Sequence, residues 1–95
     1  MKGGYIYIMS NPNRTTFYIG VTSNLKTRIA DHKNGKGSNF TTKYNLQDLV
    51  YYEDFPEIYQ AINREKRLKK WHRQWKINLI KSRNPEMNDL FWEIR

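Results

Sequence analysis

The sequence contains no cysteine. Disulfide bonds and thiolate metal sites are therefore excluded, and a reducing compartment such as the cytoplasm is the expected location. No apolar run approaches the length of about 20 residues that a membrane-spanning helix needs. The first ten residues also lack the apolar segment of a signal peptide. We therefore expect a cytoplasmic protein that does not associate with a membrane.

The motifs of several enzyme classes are also missing. The sequence has no Walker phosphate loop, no HExxH zinc motif, no EF-hand loop and no serine nucleophile elbow. The segment Gly35-Lys36-Gly37 lacks the flanking strand and helix that would make it a phosphate loop. Any chemistry must therefore come from residues outside these motifs.

Basic residues, in contrast, are abundant. Lys and Arg number 17 against nine Asp and Glu, which gives a formal net charge of +8. A surplus of this size attracts polyanions through its long-range field and through counterion release. Nucleic acid is therefore the first partner to expect, and a basic surface that only maintains solubility is the alternative. At 95 residues the chain is expected to form one domain, residues 1–95, around a single core.

Alternation of apolar, aromatic and polar residues predicts a small antiparallel sheet. Three segments have the composition of strands: residues 4–9, 17–22 and 49–54. The turn-forming residues 10–16 predict that the first two strands pair as a hairpin. Alternation also places Tyr5, Tyr7 and Tyr18 on one face of this sheet, with isoleucines on the other.

The first helix is predicted to begin after Ser23 and Asn24, which are favourable N-cap residues. Leu25 and Ile29 recur at helical spacing, and Gly35 ends the helix. The following residues, 34–45, mix Gly, Ser and Asn with lysine and predict a flexible cationic loop.

A long helical region follows the third strand. Pro56 and Glu57 are predicted to form its first turn, and residues 57–82 contain no Gly or Pro. Because this is longer than a usual globular helix, we expect a break at residues 71–73 that divides it in two. Residues 84–85 end the second of these helices, and residues 86–94 are predicted to form a short C-terminal helix.

Glu65 interrupts an apolar stripe. The spacing i, i+3, i+4, i+7 predicts that this stripe faces the core, and its apolar members are Ile58, Ala61, Ile62, Leu68 and Trp71. A carboxylate in that position costs several kcal/mol unless a cation compensates it. A divalent metal ion is the favoured interpretation, and an ion pair with Lys69 one turn later is the alternative.

Arg28 and His32 lie one turn apart on the flank of the first helix, so both could reach one point. Alternatively, Arg28 is a solvated cation and His32 is favoured by the helix dipole. Cleavage of a phosphodiester needs a base, a cation for the developing charge and a metal ligand. Tyrosine, arginine and Glu65 can supply these, so their convergence would form a cleavage site.

The second helical region is strongly basic. The segment Arg64–Lys76 holds seven Lys or Arg residues, with Trp71 and Trp75 between them. We interpret the tryptophans as core residues, because they lie on one face at i, i+4, and keep stacking on unpaired bases as the alternative. The cations expected to contact phosphates, here and in the loop before the third strand, are Lys36, Lys43, Arg64, Lys69 and Lys70.

The spacing of the tyrosine motifs resembles that of a known family. Tyr5-Ile6-Tyr7 is followed by Tyr18-Ile19-Gly20, with Tyr18 eleven residues after Tyr7 and Arg28 ten residues after Tyr18. Together with a Glu on a later helix, this set resembles the GIY-YIG nuclease superfamily over nearly the whole chain. The segments HKNGKGSNFT, EKRLKKW and NPEMNDL resemble its small stand-alone UPF0213/YhbQ-like branch.

The resemblance implies an α/β (α+β) fold, a three-stranded antiparallel sheet flanked by helices. It implies that Tyr7, Tyr18, Arg28 and Glu65 surround one cleavage site. Glu65 would bind a single Mg²⁺ or Mn²⁺, Arg28 would stabilise the phosphate, and one of the two tyrosines would help to deprotonate water. It also implies that His32 assists proton transfer or contacts phosphate. Asn78 is the candidate for an asparagine that lines the site in several members.

Two hypotheses about function follow from these observations. The first is a metal-dependent endonuclease that cleaves DNA rather than RNA, with structure-specific or single-strand cleavage as the two options. DNA repair is its expected role, and a larger DNA-processing protein is a further partner. The second is a non-catalytic nucleic-acid-binding module or adaptor that retains the GIY-YIG fold. The sequence does not determine the oligomeric state.

Overall fold

Three antiparallel strands form the centre of the computed structural model, which describes residues 3–94. The strands are β1 (Gly4–Ser10), β2 (Phe17–Thr22) and β3 (Asp48–Phe55), and their order in the sheet is β2-β1-β3. Both neighbours of β1 run antiparallel to it. The predicted strands and hairpin are therefore confirmed. Residues 1, 2 and 95 of the expected domain lie outside the described residues.

Within the described residues, four α-helices and one 3₁₀ turn surround the sheet: α1 (Leu25–Lys33), α2 (Asn39–Lys43), α3 (Ile58–Lys69), α4 (Arg73–Arg83) and the turn Phe91–Glu93. Asn24 caps α1 as predicted, because its side chain accepts a hydrogen bond from the Thr27 amide. The predicted break at residues 71–73 is also confirmed, since α3 ends at Lys69 and α4 begins at Arg73. No helix within residues 3–94 is long and apolar enough to cross a membrane.

The two faces of the sheet carry separate apolar clusters. One cluster lies between the sheet and helices α3 and α4, and its buried members include Ile6, Ile8, Ile19, Leu68 and Ile80. The other lies on the face covered by α1, and its buried members include Tyr7, Met9, Leu25, Ile29 and Leu49. The predicted alternation of β1, with tyrosines on one face and isoleucines on the other, is therefore confirmed.

Two predicted segments at the ends of helices were wrong. Residues 34–45 are not all loop, because Ser38 caps the short helix α2 by accepting a hydrogen bond from the Thr41 amide. Residues 86–94 do not form an α-helix, since Met87 has a left-handed backbone with φ of 53° and only the 3₁₀ turn follows. Pro56 also lies outside the first turn of α3, because Glu57 is the N-cap.

The predicted inward stripe of α3 is only partly correct. Ala61 and Leu68 are completely buried, but Ile62 is 37% exposed. Trp71 packs against the apolar cluster as predicted, whereas Trp75 is 54% exposed and was wrongly placed in the core. The reason is the break after Lys69: it ends the helical phase before Trp75, so the i, i+4 spacing no longer puts both indoles on one helix face.

Candidate active site

Tyr7 and Tyr18 lie side by side on the face of the sheet that α1 covers. In the β1–β2 register Tyr7 is opposite Gly20 and Met9 is opposite Tyr18. The two tyrosines are therefore diagonal neighbours on one face, and their ring centroids are 6.4 Å apart. The hairpin alone thus brings together the two tyrosines that the sequence singled out.

Gly20 provides the space in which the Tyr7 ring lies. A Cβ atom added at Gly20 would overlap Cζ and the hydroxyl oxygen of Tyr7. Any side chain at this position would push the ring away from the strand pair. The glycine of the YIG motif is therefore a requirement for the position of the Tyr7 hydroxyl.

Helix α1 brings Arg28 and His32 to the Tyr7 hydroxyl. Leu25 and Ile29 bury the adjacent face of the helix, which directs the two polar side chains at the sheet. Nε2 of His32 is 3.0 Å from the Tyr7 hydroxyl oxygen, and Nε of Arg28 donates to the same oxygen over 3.4 Å. The structure therefore shows the arrangement in which Arg28 and His32 reach a single point, which was one of the two interpretations of these residues.

The protonation of this cluster follows from its burial. Burial raises the pKa of the Tyr7 hydroxyl above its usual value, and the hydrogen bond and charge of Arg28 offset this only in part. Burial also lowers the pKa of His32, and the positive charge of Arg28 lowers it further against the opposing effect of Asp31. At neutral pH the site therefore holds a neutral tyrosine, a neutral histidine and a cationic arginine.

Two further residues, which the sequence did not single out, enclose His32. Nδ1 of His32 lies 3.1 Å from Oγ1 of Thr41, a residue of α2 that is only 2% exposed. Gly37 is also pressed against the histidine, because a Cβ atom there would overlap Nδ1. One sequence feature could have indicated this contact. Ser38 is a good N-cap residue three positions before Thr41, and it indicates a helical turn within the predicted loop.

Glu65 lies near this cluster but is paired with a lysine. Its carboxylate is 3.2 Å from Nζ of Lys69, and its side chain is 20% exposed. Its charge acts on the Tyr7 hydroxyl and adds to the rise of that pKa. The alternative interpretation of Glu65, an i, i+4 ion pair, is therefore present, and the carboxylate is nonetheless close enough to the site to influence it.

The donor groups near Glu65 decide what kind of metal site could form. Within residues 3–94 no group of three or more His, Asp or Glu side chains is placed to hold a metal ion. Mg²⁺ often keeps several waters and binds through one carboxylate together with substrate phosphates. A single, partly exposed carboxylate suits that mode of binding and does not suit a metal held by the protein alone.

A shallow cavity of about 280 Å³ opens beside Tyr18, and it is lined by Phe17, Tyr18, Ile19, Phe40, Lys69 and Lys76. Phe40 is stacked on Tyr18 at a centroid distance of 6.2 Å, and Tyr44 follows Phe40 at 4.8 Å. Phe40 and Tyr44 are each 43% exposed. We call Tyr18, Phe40 and Tyr44 the aromatic row. It extends from the cluster towards solvent, with Lys69 and Lys76 beside it.

The other predicted nucleic-acid-binding residues are distributed more widely. Lys36, Lys43 and Lys70 are exposed, and Nζ of Lys43 lies over the Tyr44 ring at the end of the aromatic row. Arg64 is instead held by two hydrogen bonds to the Glu53 carboxylate, at 2.9 and 3.0 Å. The structure thus places Lys43 and Lys69 next to the site and gives Arg64 a partner of its own.

The predicted site asparagine, Asn78, is exposed and accepts a hydrogen bond from Gln74 on its own helix. A different asparagine is buried. Asn84 donates to the carbonyls of Val50 and Asn88 and accepts from the Asn88 amide. Asn84 therefore has a structural role, because it joins the end of α4 to β3 and to the C-terminal segment.

Comparison with known proteins identifies the family of this chain. A family model described as the GIY-YIG catalytic domain matches residues 3–78. The chain belongs to the GIY-YIG family. This family is a nuclease superfamily. The matched range, residues 3–78, contains Tyr7, Tyr18, Arg28, His32 and Glu65. The predicted family is therefore confirmed.

Relatives within the GIY-YIG family are of similar length. The chain is 37% identical over 83 residues to a UPF0213 protein of Staphylococcus haemolyticus, covering 87% of this chain and all of that one. It is 38% identical over 80 residues to a UPF0213 protein of Clostridium perfringens, covering 84% and 85% of the two chains. The solution NMR structure of a UPF0213 protein from Bacillus halodurans superposes with a TM-score of 0.57 at 27% identity, covering 88% of each chain. These likenesses confirm the fold and the UPF0213 branch.

Proposed function

We propose that this GIY-YIG protein is a divalent-metal-dependent endonuclease that hydrolyses phosphodiester bonds, with DNA as its substrate. The observation that carries the proposal is the convergence at the Tyr7 hydroxyl. Arg28 and His32 both bond to this one oxygen, Tyr18 lies beside it, and the Glu65 charge acts on it. A hydroxyl bonded to a guanidinium, with a carboxylate nearby, matches the needs of phosphodiester cleavage.

Each group has a role that follows from its chemistry. Arg28 is a permanent cation and stabilises the negative charge that develops on the phosphate. Tyr7 and Tyr18 present the hydroxyls of the site, and one of them assists in removing a proton from the attacking water. Glu65 would hold Mg²⁺ or Mn²⁺, which when bound polarises a phosphate oxygen. With such an ion on Glu65, Lys69 would be free to contact a substrate phosphate.

The substrate strand is proposed to be locally unpaired at the site. The aromatic row offers partly exposed ring faces, and every nucleobase can stack on such a face once it leaves the duplex. Lys69 and Lys76 beside the row supply charge for the backbone phosphates. Single-stranded, flapped or branched DNA satisfies both features, whereas an intact duplex hides its base faces.

The decisive experiment compares two matched carboxylate variants. The purified protein is incubated with labelled single-stranded, duplex, flapped and branched DNA and matching RNA, in EDTA, Mg²⁺ or Mn²⁺. We expect metal-dependent cleavage that Glu65→Gln reduces by about 100-fold or more, a loss similar to that of one essential charge-stabilising group. The exposed Glu86 is the control, and Glu86→Gln should leave the rate unchanged. Cleavage in EDTA, or equal rates in both variants, would contradict the proposal.

The substrate class is tested separately with two exposed aromatic residues. Phe40→Ala removes the middle of the aromatic row, and Tyr59→Ala removes a 59% exposed ring on α3 that is outside it. Base stacking contributes about 1–3 kcal/mol per base, so Phe40→Ala should weaken binding to single-stranded DNA by roughly 5–150-fold. Duplex binding and the Tyr59→Ala variant should show no such change in fluorescence-anisotropy titrations.

The second candidate function is a non-catalytic nucleic-acid-binding module. The ion pair between Glu65 and Lys69 favours it, because the lysine already compensates the carboxylate that catalysis requires for a metal. Such a module would bind the same DNA in every metal without cutting it. In that case the parent protein would show no metal-dependent cleavage for Glu65→Gln to remove, and the variant would bind DNA with unchanged affinity, which separates the two candidates.

A further inference from the structure

We propose that Thr41 is a positioning residue that holds His32 in the tautomer with its proton on Nδ1, and that this fixes the Tyr7 hydroxyl as the donor to Nε2. The inference concerns the same site as the proposed endonuclease function, and its importance for catalysis rests on that function. Its physical basis is a chain of short contacts from α2 to β1. The chain runs from Thr41 through both nitrogens of His32 to Tyr7.

The Thr41 end of the chain favours an acceptor facing His32. A threonine hydroxyl has one proton to donate and two lone pairs. Oγ1 of Thr41 donates to the Ser38 carbonyl over 3.0 Å and lies 3.2 Å from the Ser38 hydroxyl, which donates to it. Its proton is therefore used within the cap of α2. With that proton committed, the contact of 3.1 Å with Nδ1 is a hydrogen bond when Nδ1 carries the proton.

The hydrogen bonds at Tyr7 are compatible with the same tautomer. The Tyr7 oxygen already accepts a hydrogen bond from Nε of Arg28, which can only donate. If Nε2 of His32 were protonated, the Tyr7 oxygen would accept from both His32 and Arg28, and its own hydroxyl proton would have no acceptor among the described residues. With Nε2 unprotonated, the Tyr7 hydroxyl donates to it over 3.0 Å, and each polar side-chain atom between Thr41 and Tyr7 has a partner.

Water does not substitute for Thr41 in this arrangement. His32 and Thr41 are only 3% and 2% exposed. The Gly37 backbone is pressed so closely against Nδ1 that an added methyl group would overlap it. Loss of the Thr41 hydroxyl would thus leave the Nδ1 proton without an acceptor, which disfavours that tautomer.

The direction of the hydrogen bonds between Thr41, His32 and Tyr7 determines where a proton can go. When the Tyr7 oxygen takes a proton from the attacking water, it can release its own proton to Nε2. The products are hydroxide, a neutral Tyr7 and an imidazolium with protons on both nitrogens, so atoms and charge balance. In the other tautomer Nε2 already carries a proton, and this transfer is closed.

Nitrogen NMR of the imidazole rings tests the proposal without any need for activity. We use uniformly ¹⁵N-labelled full-length protein above pH 7, and a His72→Gln variant to assign the signals, since the chain has two histidines. The expected spectrum shows a protonated Nδ1 and an unprotonated Nε2 for His32. Thr41→Ser, which keeps the hydroxyl, should retain this pattern, whereas Thr41→Val should shift the population towards Nε2–H.

Kinetics supply a second readout. Outer-shell partners that orient metal-bound histidines typically account for about 10–100-fold in activity, and Thr41 orients His32 in the same way. We expect Thr41→Val to lower kcat by that factor with little change in KM, and Thr41→Ser to restore most of it. A protonated Nε2 in the parent protein, or an unchanged tautomer in folded Thr41→Val, would overturn the proposal. Should Thr41→Val not fold, the spectra of the parent protein and of Thr41→Ser still decide.

The proposed function can fail separately. A parent protein that shows the Nδ1–H tautomer but cuts no nucleic acid would refute the endonuclease activity and leave the role of Thr41 intact. A parent protein that cuts DNA but shows the Nε2–H tautomer would refute the role of Thr41 and leave the endonuclease activity intact.

Discussion

Gly20 illustrates how one residue without a side chain determines the geometry of a site. The Tyr7 ring lies over this glycine because the β1–β2 register places the two residues opposite each other. The same ring must also reach His32 and Arg28. The identity of the residue at position 20 is therefore linked to the position of the hydroxyl rather than to any unusual backbone angle.

We predict that Gly20→Ala destabilises the protein by about 1–3 kcal/mol, because the new methyl group overlaps the Tyr7 ring and the packed interior must shift. Cleavage should fall further than stability alone explains, since the hydroxyl leaves its partners. Urea denaturation and the DNA cleavage assay measure the two effects. Gly35→Asn is the control. Gly35 has φ of 75° in open space, a conformation that asparagine tolerates. Equal behaviour of the two variants would refute the argument.

The buried His32 should also make stability depend on pH. Its pKa is lowered by burial and by Arg28, with Asp31 opposing, whereas an unfolded histidine has a pKa of about 6.5. The unfolded chain therefore binds a proton that the folded chain does not, so stability is full above about pH 6.5 and declines as pH falls towards the folded pKa.

Urea titrations between pH 7.5 and 5 would measure this decline, because carboxylates titrate about two pH units lower. We expect His32→Gln to flatten the profile in this window. His72→Gln, at an exposed histidine, should retain the slope of the parent protein. A profile that is unchanged by His32→Gln would show that other groups cause the pH dependence.

At the scale of elements, the short helix α2 shows why local patterns misjudged residues 34–45. A helix of five residues is marginal in isolation. It forms because Ser38 caps it and because Thr41 is buried against His32. Both α2 and the site therefore depend on a contact that the composition of the segment does not reveal.

Helix α4 ends at a second contact of this kind, on Asn84. We predict that Asn84→Ala lowers the free energy of unfolding by about 1–3 kcal/mol, since it leaves the buried Val50 carbonyl and the Asn88 backbone without partners. The matched control is Asn78→Ala on the same helix. Asn78 is exposed, so this change should stay within about 0.5 kcal/mol. Equal effects in thermal or urea unfolding would contradict the structural role of Asn84.

For the whole molecule the dominant property is its charge. With 17 basic and nine acidic residues, association with nucleic acid should be governed by counterion release. The structure places part of this charge at the cavity beside the aromatic row, where Lys69 and Lys76 line the wall. Other cations have partners elsewhere, such as Lys33 with Asp89 and Arg64 with Glu53.

We predict that the logarithm of the DNA-binding constant falls linearly with the logarithm of salt concentration. Lys69→Ala and Lys76→Ala should each reduce the slope by about 1, because each removes one phosphate contact. Lys81→Ala removes an exposed lysine that does not line the cavity, and it should leave the slope unchanged. Fluorescence anisotropy at several salt concentrations measures these slopes. Identical slopes in all three variants would place the DNA elsewhere.

The sequence by itself determined the strands, the faces and the charge. Period-2 alternation put Tyr7 and Tyr18 on one face, because successive side chains in a strand point to opposite sides. Helical spacing put Arg28 and His32 on one flank of α1, and Asn24 identified where that helix begins. Each of these features depends on residues only a few positions apart, and so a local pattern is sufficient to predict it.

Only the tertiary structure decided which partners the polar side chains have. His32 bonds to Tyr7 across 25 positions, and Asn84 bonds to β3 across 34. The exposure of Trp75 contradicted its favoured interpretation as a core residue. Such outcomes depend on how elements pack against each other. The partners and the burial of these side chains depend on segments that are far apart in the sequence, and local spacing carries no information about them.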